Sequence, residues 1–352
     1  MSVFDTAVNN LAELIKQKGH LLIDIRGHES WSKGIVEGAT LMQVEDLQAK
    51  ADLLRKSNAQ IYLMCHKGIK SSELVAELGR PFISVSGGFE AWKNAQLIIK
   101  PPETLEEVDR YDRQLKLSGF GSQGQSKLKG AHVLVVGAGG LGGPAATYLV
   151  AAGVGHVTLV DDDEVALHNL HRQVLFKESE VGESKVTAAK HNLQALNSTT
   201  LVDAVNLRLS SNNAETLISG VDLVIDGTDN IDTRFIINDT CLQLSTPWVF
   251  AAVSAFHVQV GVFSGDQTLP CFRCLFQELS AATLGDCNDE GILGPIPGVA
   301  AMIQVTEAIK LLTHMGSPLS QKMLSYDLLH QQFKVLKYPA NSKRCSQHTG
   351  QS

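Results

Sequence analysis

The 352-residue sequence has no excess of positive charge, no apolar run of membrane length and few cysteines. Lys and Arg number 30 against 37 Asp and Glu, a net charge of −7. That balance argues against a general nucleic-acid or membrane-surface role and still allows a local basic pocket. The N-terminal stretch MSVFDTAVNNLAELI lacks the basic start and apolar core of a signal peptide, so a cytoplasmic protein is expected. The longest apolar stretch is laced with glycine and does not read as a membrane span. Six cysteines, at 65, 241, 271, 274, 287 and 345, point in a cytoplasmic chain to metal or thiol chemistry rather than disulfides. With 44% apolar and 19% charged residues the chain can bury a full core, and its length suggests two domains.

What is present is organised around a strand–turn–helix–strand unit from His132 to Asp161. Residues 133–136 form an apolar run of strand length. Gly137-Ala138-Gly139-Gly140-Leu141-Gly142 is a glycine turn, residues 143–152 read as a helix, and residues 156–160 as a second strand ending on Asp161. Glycines let the backbone turn sharply and approach a phosphate, with the helix N-terminus aimed at the anion. Asp161, at a strand tip, can accept hydrogen bonds from ribose hydroxyls. Such a pattern usually indicates NAD or FAD. The residues after it point elsewhere. Asn169, Arg172 and Lys185 supply donors on the phosphate side. A strand over 222–225 runs into Asp226-Gly-Thr-Asp229-Asn230, where Asp229 can hold Mg²⁺. That set suits nucleotidyl transfer from ATP to a carboxylate with loss of pyrophosphate.

The first hundred residues alternate strand-like runs, at 21–25, 60–64 and 82–85, with helical patterns, as expected of a small α/β domain with a parallel sheet. The run at 60–64 delivers Cys65 to the tight loop Cys65-His-Lys-Gly-Ile-Lys70, and a helix is expected from about Ser71. Loop amides, the helix dipole, Lys67 and Lys70 would favour a reactive sulfur there. LLIDIR at 21–26, the CHKGIKSS loop and VSGGFEAWK at 85–93 resemble the rhodanese domain over residues 1–99. The resemblance implies that Cys65 carries a persulfide sulfur cradled by the loop amides. Lys70 stands where many members have arginine, and the segment 32–39 lacks the usual histidine.

A polar connector is expected over 100–108, beginning Lys100-Pro101-Pro102, with a second domain over 109–352. Arg110 and Arg113 then share a helical face with Gln114. Cys271 and Cys274 form C-x₂-C, and Cys345 and His348 form C-x₂-H; four such ligands suit structural Zn²⁺. The zinc would pin a C-terminal strand expected over 326–335. Cys287 lies in a polar, glycine-flanked loop, which suggests function over packing, whereas Cys241 reads as a packed helical residue and residues 295–312 as a helix.

From Arg110 onward, RYDRQ, GAGGLG, LVDDD…HNLHRQ, VGESK, DGTDN and CFRC fall in order. They resemble the ubiquitin-activating-like family that includes the ThiF and MoeB adenylyltransferases. The fold implied is α/β: a small rhodanese-like parallel-sheet domain followed by a Rossmann-like adenylation domain. By this resemblance Gly137, Gly139, Gly140, Gly142 and Asp161 form the adenosine and ribose side of the site. Asn169, Arg172 and Lys185 contact the phosphates, and Asp229 and Asn230 serve metal and nucleotide. Arg113 reaches the triphosphate from a neighbouring subunit of a homodimer, and Cys287 is the acyl-acceptor cysteine. The implied activity is adenylation of a small ubiquitin-like sulfur carrier ending in Gly-Gly, then sulfur transfer from a Cys65 persulfide loaded by a donor such as a cysteine desulfurase. Related carriers serve molybdopterin, thiamin, cysteine and tRNA thiolation. Thioester transfer through Cys287 without sulfuration, or a carrier-docking scaffold, are the alternatives; a NAD dehydrogenase is the weakest of them.

Overall fold

The computed structural model describes residues 5–17, 19–31, 34–57, 59–100, 105–276 and 291–338. The chain divides into two units, Met1–Leu117 with Gly121–Gln123, and Ser118–Phe120 with Gly124–Ser352.

Among the described residues of the first unit seven strands form: β1 (Asp5–Thr6), β2 (His20–Asp24), β3 (Ile35–Val36), β4 (Thr40–Leu41), β5 (Gln60–Met64), β6 (Phe82–Val85) and β7 (Ile99–Lys100). Five make a parallel sheet in the order β1-β6-β5-β2-β4, and β3 pairs with β7 antiparallel. Side chains alternate across a strand, and both faces of this sheet are covered. Along β5, Ile61 and Leu63 enter one apolar cluster with Ile23, Leu47 and Leu74, while Tyr62 and Met64 enter the other with Leu11, Phe89 and Trp92. The alternation continues to Cys65, which therefore starts the loop from the first face. Of the expected connector, Lys100 lies in β7 and residues 105–108 open the helix Leu105–Leu115.

The second unit adds β8 (His132–Val136), β9 (His156–Val160), β10 (Leu201–Val205), β11 (Leu223–Asp226), β12 (Trp248–Ser254), β13 (His257–Phe263), β14 (Lys322–Asp327) and β15 (Gln332–Lys337). Their order is β10-β9-β8-β11-β12-β13-β14-β15, parallel as far as β12 and antiparallel beyond. The chain runs outward from β8 to β10 and then returns to β11 on the other side of β8. This reversal opens a crevice at the carboxyl ends of β8 and β11, the usual ligand position in such sheets.

Helices Gly142–Ala152, Lys185–Leu196 and Pro295–Thr313 bury apolar residues in the core on one face, and Ile231–Leu244 and Ala214–Ile218 on the other. Pro295–Thr313 is long and apolar enough to cross a membrane, but Ile296, Ala300, Ala301, Val305 and Ala308 lie in the core. Cys241 packs on Ile231–Leu244, where burial pushes its thiol up and keeps it protonated.

The single strand expected over 326–335 is instead the hairpin β14–β15. Its turn carries no glycine or proline to announce it. Asp327 Oδ1 accepts from the N–H groups of Leu329 and His330, and Gln331 takes the left-handed backbone at φ 56°.

Candidate active sites

In the first unit, the helix after β5 runs Ile69–Leu78, two residues ahead of the expected start, because Gly68 at φ +85° turns the chain into it. Cys65 is 5% exposed, at the base of this loop. Its Sγ accepts from the N–H of Gly68 at 3.1 Å, the N–H of Ser71 at 3.4 Å and the Ser71 hydroxyl at 3.4 Å. The VSGGFEAWK segment supports the loop from below. A Cβ on Gly88 would lie 2.2 Å from Cys65 O and 2.7 Å from Gly68 N, so only glycine permits this backbone-on-backbone packing. Phe89 N–H and Glu90 N–H then donate to the carbonyls of Cys65 and His66.

Lys67 is not an isolated cation. Its Nζ lies 4.0 Å from Glu90 Oε1, which also meets His66 Nε2 at 3.2 Å. A buried pair that composition and spacing did not suggest lies beside the loop's support. Arg26 clasps Asp24 at 2.7–3.1 Å, donates to Gly34 O, and places its Cζ 3.4 Å from the centre of the Phe89 ring. Asp24-Ile25-Arg26 ends a strand, so the pair reads in sequence as two ordinary polar residues.

In the second unit the glycine turn follows β8 at the crevice. A Cβ on Gly142 would lie 1.7 Å from Gly137 O, and one on Gly137 would lie 2.8 Å from Gly227 O. The turn after β8 thus packs directly on the Asp226-Gly227-Thr228 turn after β11. Asp161 Oδ2 accepts from Ala138 N–H at 2.7 Å and its Oδ1 from Asp163 N–H at 2.8 Å. The carboxylate holds the glycine turn itself, using one lone pair on each oxygen and leaving the others for a ligand.

Lys185 is 4% exposed and donates to Asp163 Oδ2 at 2.7 Å. Its N–H also donates to Asp163 O. Arg172 lies against the glycine turn, its Cγ 3.4 Å from where a Gly140 Cβ would be, with Pro297 Cγ at 3.3 Å from the same point. Arg172 Nη1 is 2.9 Å from His171 Nε2. Asn169 Oδ1 and Gln173 Oε1 are buried without a partner, so each can take a donor from a ligand.

Gly137, Gly139, Gly140, Gly142, Asp161, Arg172 and Lys185 therefore gather around one crevice. Asp229 is exposed in the turn after β11. Asn230 caps the helix Ile231–Leu244: its Oδ1 accepts from the N–H groups of Asp232 at 2.9 Å and Thr233 at 3.1 Å. The network beneath that turn was not anticipated. Asp226 is fully buried; burial pushes its carboxyl up, while Arg234 at 3.1 Å and Thr228 oppose the shift. Arg234 also donates to Thr228 O and Ala251 O, and Gln304 to Asp226 O and Val249 O.

Arg113 is exposed on the helix Leu105–Leu115 with Arg110. Cys287, Cys345 and His348 lie outside the described residues. Cys271 and Cys274 place their sulfurs 3.7 Å apart. Two thiolates on one tetrahedral Zn²⁺, each at 2.3 Å, would be about 3.8 Å apart. The pair fits zinc.

Residues 111–347 match the ThiF family, and residues 7–95 match the rhodanese-like domain. A sulfur carrier protein adenylyltransferase from Thermus thermophilus is 44% identical over 246 residues, covering 68% of this chain and 90% of that protein. The adenylyltransferase and sulfurtransferase MOCS3 of Culex quinquefasciatus is 44% identical over 240 residues, and the match covers 68% of this chain but 55% of that relative, about half its length. Among solved structures, Escherichia coli MccB with ATP superposes at a TM-score of 0.58 and 24% identity, over 65% of this chain and 70% of that one. At that identity the likeness establishes the fold.

Proposed function

The chain belongs to the ThiF family, and from that premise we propose that it adenylates the C-terminal Gly-Gly of a small ubiquitin-like sulfur carrier and converts it to a thiocarboxylate. The carrier carboxylate attacks the α-phosphate of ATP and pyrophosphate leaves. The glycine turn and Asp161 hold the nucleoside end, Asn169, Arg172 and Lys185 contact the phosphates, and the two cations offset their charge. Asp229 would hold the Mg²⁺ that accompanies ATP, and the ion would offset phosphate charge there. The terminal sulfur of a Cys65 persulfide then attacks the adenylate carbonyl, AMP leaves and an acyl disulfide forms on Cys65. With Cys287 as the relay, its thiolate attacks the Cys65 sulfur, the S–S bond to the acyl sulfur breaks and the carrier thiocarboxylate leaves; a thiol reductant then reopens the Cys65–Cys287 disulfide. Cys287 as a transient acyl acceptor is the other form of this role. Cys271, Cys274, Cys345 and His348 would hold a structural Zn²⁺. Arg113 would act across a homodimer, and a protein persulfide donor such as a cysteine desulfurase would reload Cys65.

One observation carries this reading. A single chain pairs a ThiF match with a cysteine sulfur that accepts three hydrogen bonds at the start of a helix. Adenylation alone would need no such sulfur. The name of the Thermus relative, a sulfur carrier protein adenylyltransferase, supports the choice of substrate. The test is ATP–pyrophosphate exchange by purified protein with a panel of ubiquitin-like proteins ending in Gly-Gly. Exchange that depends on one of them is expected, and exchange with none would overturn the proposal.

A further inference from the structure

The backbone N–H groups of Gly68 and Ser71 turn toward the Cys65 sulfur, whereas the side chains of His66, Lys67, Ile69 and Lys70 are exposed around it. Exposed cations on such a loop draw small anions of any chemistry. One acidic residue stands against them. Glu90, in the helix Gly88–Asn94, donates its N–H to His66 O at 3.0 Å, which fixes it against the loop. Its Oε1 lies 3.2 Å from His66 Nε2 and within ion-pair reach of Lys67 Nζ, at 4.0 Å. The Glu90 side chain is 46% exposed, so its charge faces the solvent from which a sulfur donor arrives.

A half-exposed ion pair of this kind adds little to stability. Its field on an arriving ligand is another matter, because that scales with the charge the ligand carries. Sulfur donors differ in this charge. Thiosulfate brings two negative charges and releases sulfite. A persulfide on a protein cysteine brings one and releases a thiolate. In both cases the Cys65 thiolate attacks the outer sulfur, a new S–S bond forms, the old one breaks, and its electron pair leaves with the inner group. A carboxylate over the loop repels the dianion twice as strongly as the monoanion, and it offsets the Lys67 charge that would otherwise attract both.

We propose that Glu90 is a specificity-determining residue of the Cys65 site: it offsets the cations of the loop and so selects against dianionic sulfur donors, in favour of singly charged persulfides such as one carried on a protein cysteine. This role rests on the reading of Cys65 as the sulfur-bearing residue, and its test needs neither carrier nor ATP.

The experiment measures thiocyanate formed by the full chain from cyanide and either of two donors, thiosulfate or the monoanion benzenethiosulfonate. Each donor loads Cys65, releasing sulfite or benzenesulfinate, and cyanide then takes the outer sulfur and frees the thiolate. In such a two-step exchange kcat/KM for the donor reports the loading step alone. The readout is the ratio of kcat/KM for thiosulfate to that for benzenethiosulfonate, in which any effect on Cys65 itself cancels. For charges about 6–10 Å apart in water at low salt, each unit of charge changes the rate about two- to three-fold. Glu90→Gln therefore raises the ratio about two- to three-fold and Glu90→Lys about three- to seven-fold, whereas Glu90→Asp, which keeps the charge, leaves it near wild type. At about 0.5 M salt the ratios of all four proteins converge. An unchanged ratio in Glu90→Gln and Glu90→Lys, or a rise that salt does not diminish, would overturn the proposal while leaving Cys65 as the sulfur carrier. No thiocyanate from either donor in any of the proteins would overturn it together with the reading of Cys65, whatever pyrophosphate exchange shows.

Discussion

Replacing Gly142 with alanine tests whether the glycine turn positions the nucleotide. The added Cβ would stand 1.7 Å from Gly137 O and 3.2 Å from Val135 Cγ1. An ordinary carbon–oxygen contact is about 3.3 Å, so the turn and the helix Gly142–Ala152 must separate by about 1.6 Å at this point. Such overpacking costs about 1–3 kcal/mol against a typical stability of about 5–15 kcal/mol, so the variant still folds. The turn amides, however, move by more than 1 Å, and a displacement of that size costs about 10²-fold in rate. The expected outcome is a loss of about 10²-fold in carrier-dependent ATP–pyrophosphate exchange, with a cooperative melt retained. Gly298→Ala is the control, because a Cβ there meets nothing within 4 Å. Wild-type exchange in Gly142→Ala would refute the reasoning, as would equal losses in both variants.

Lys185→Met keeps the buried stem and removes the ammonium that meets Asp163; exchange is expected to fall about 10²-fold with little change in melting temperature. His132 is held below its ordinary 6.5, first by burial and then by the adjacent His156 ring, stacked at 3.6 Å, with Asp222 and Asp203 opposing. The unfolded chain therefore binds a proton more readily than the folded one, and stability contributed by neutral His132 is lost as pH falls below 6.5. Melting temperature should decline from pH 7.5 to 5.5, less steeply in His132→Gln; identical slopes would exclude this cause. Cys271→Ser is expected to abolish zinc bound to purified protein, measured by elemental analysis, and to lower the melting temperature; unchanged metal content would remove Cys271 from the ligand set.

The sheet strands were legible because short apolar runs match strand length: the runs at 60–64, 82–85 and 156–160 are β5, β6 and β9 without a shift. The glycine turn was legible for the same local reason. What escaped depends on partners distant in sequence. Asp226 reads as the last residue of a strand, and only the fold brings Arg234 and Gln304 to it. Gly227 reads as a turn glycine, and its contact with Gly142 is invisible without the sheet order. Asn230, expected to serve metal and nucleotide with Asp229, also caps a helix through its Oδ1, a role that looks the same in sequence. The β14–β15 turn was missed because Asp327 and a left-handed Gln331 do the work usually given to glycine.

The most direct measurement of the central claim is the intact mass of a responsive carrier after incubation with ATP and a persulfide donor, comparing wild type with Cys65→Ala. Wild type should add about 16 Da to the carrier, the exchange of one carboxylate oxygen for sulfur. Cys65→Ala should still support pyrophosphate exchange but give no such gain. A carrier that gains the sulfur without Cys65, or that never gains it with wild type despite exchange, would contradict the claim that this chain couples adenylation to its own sulfur transfer.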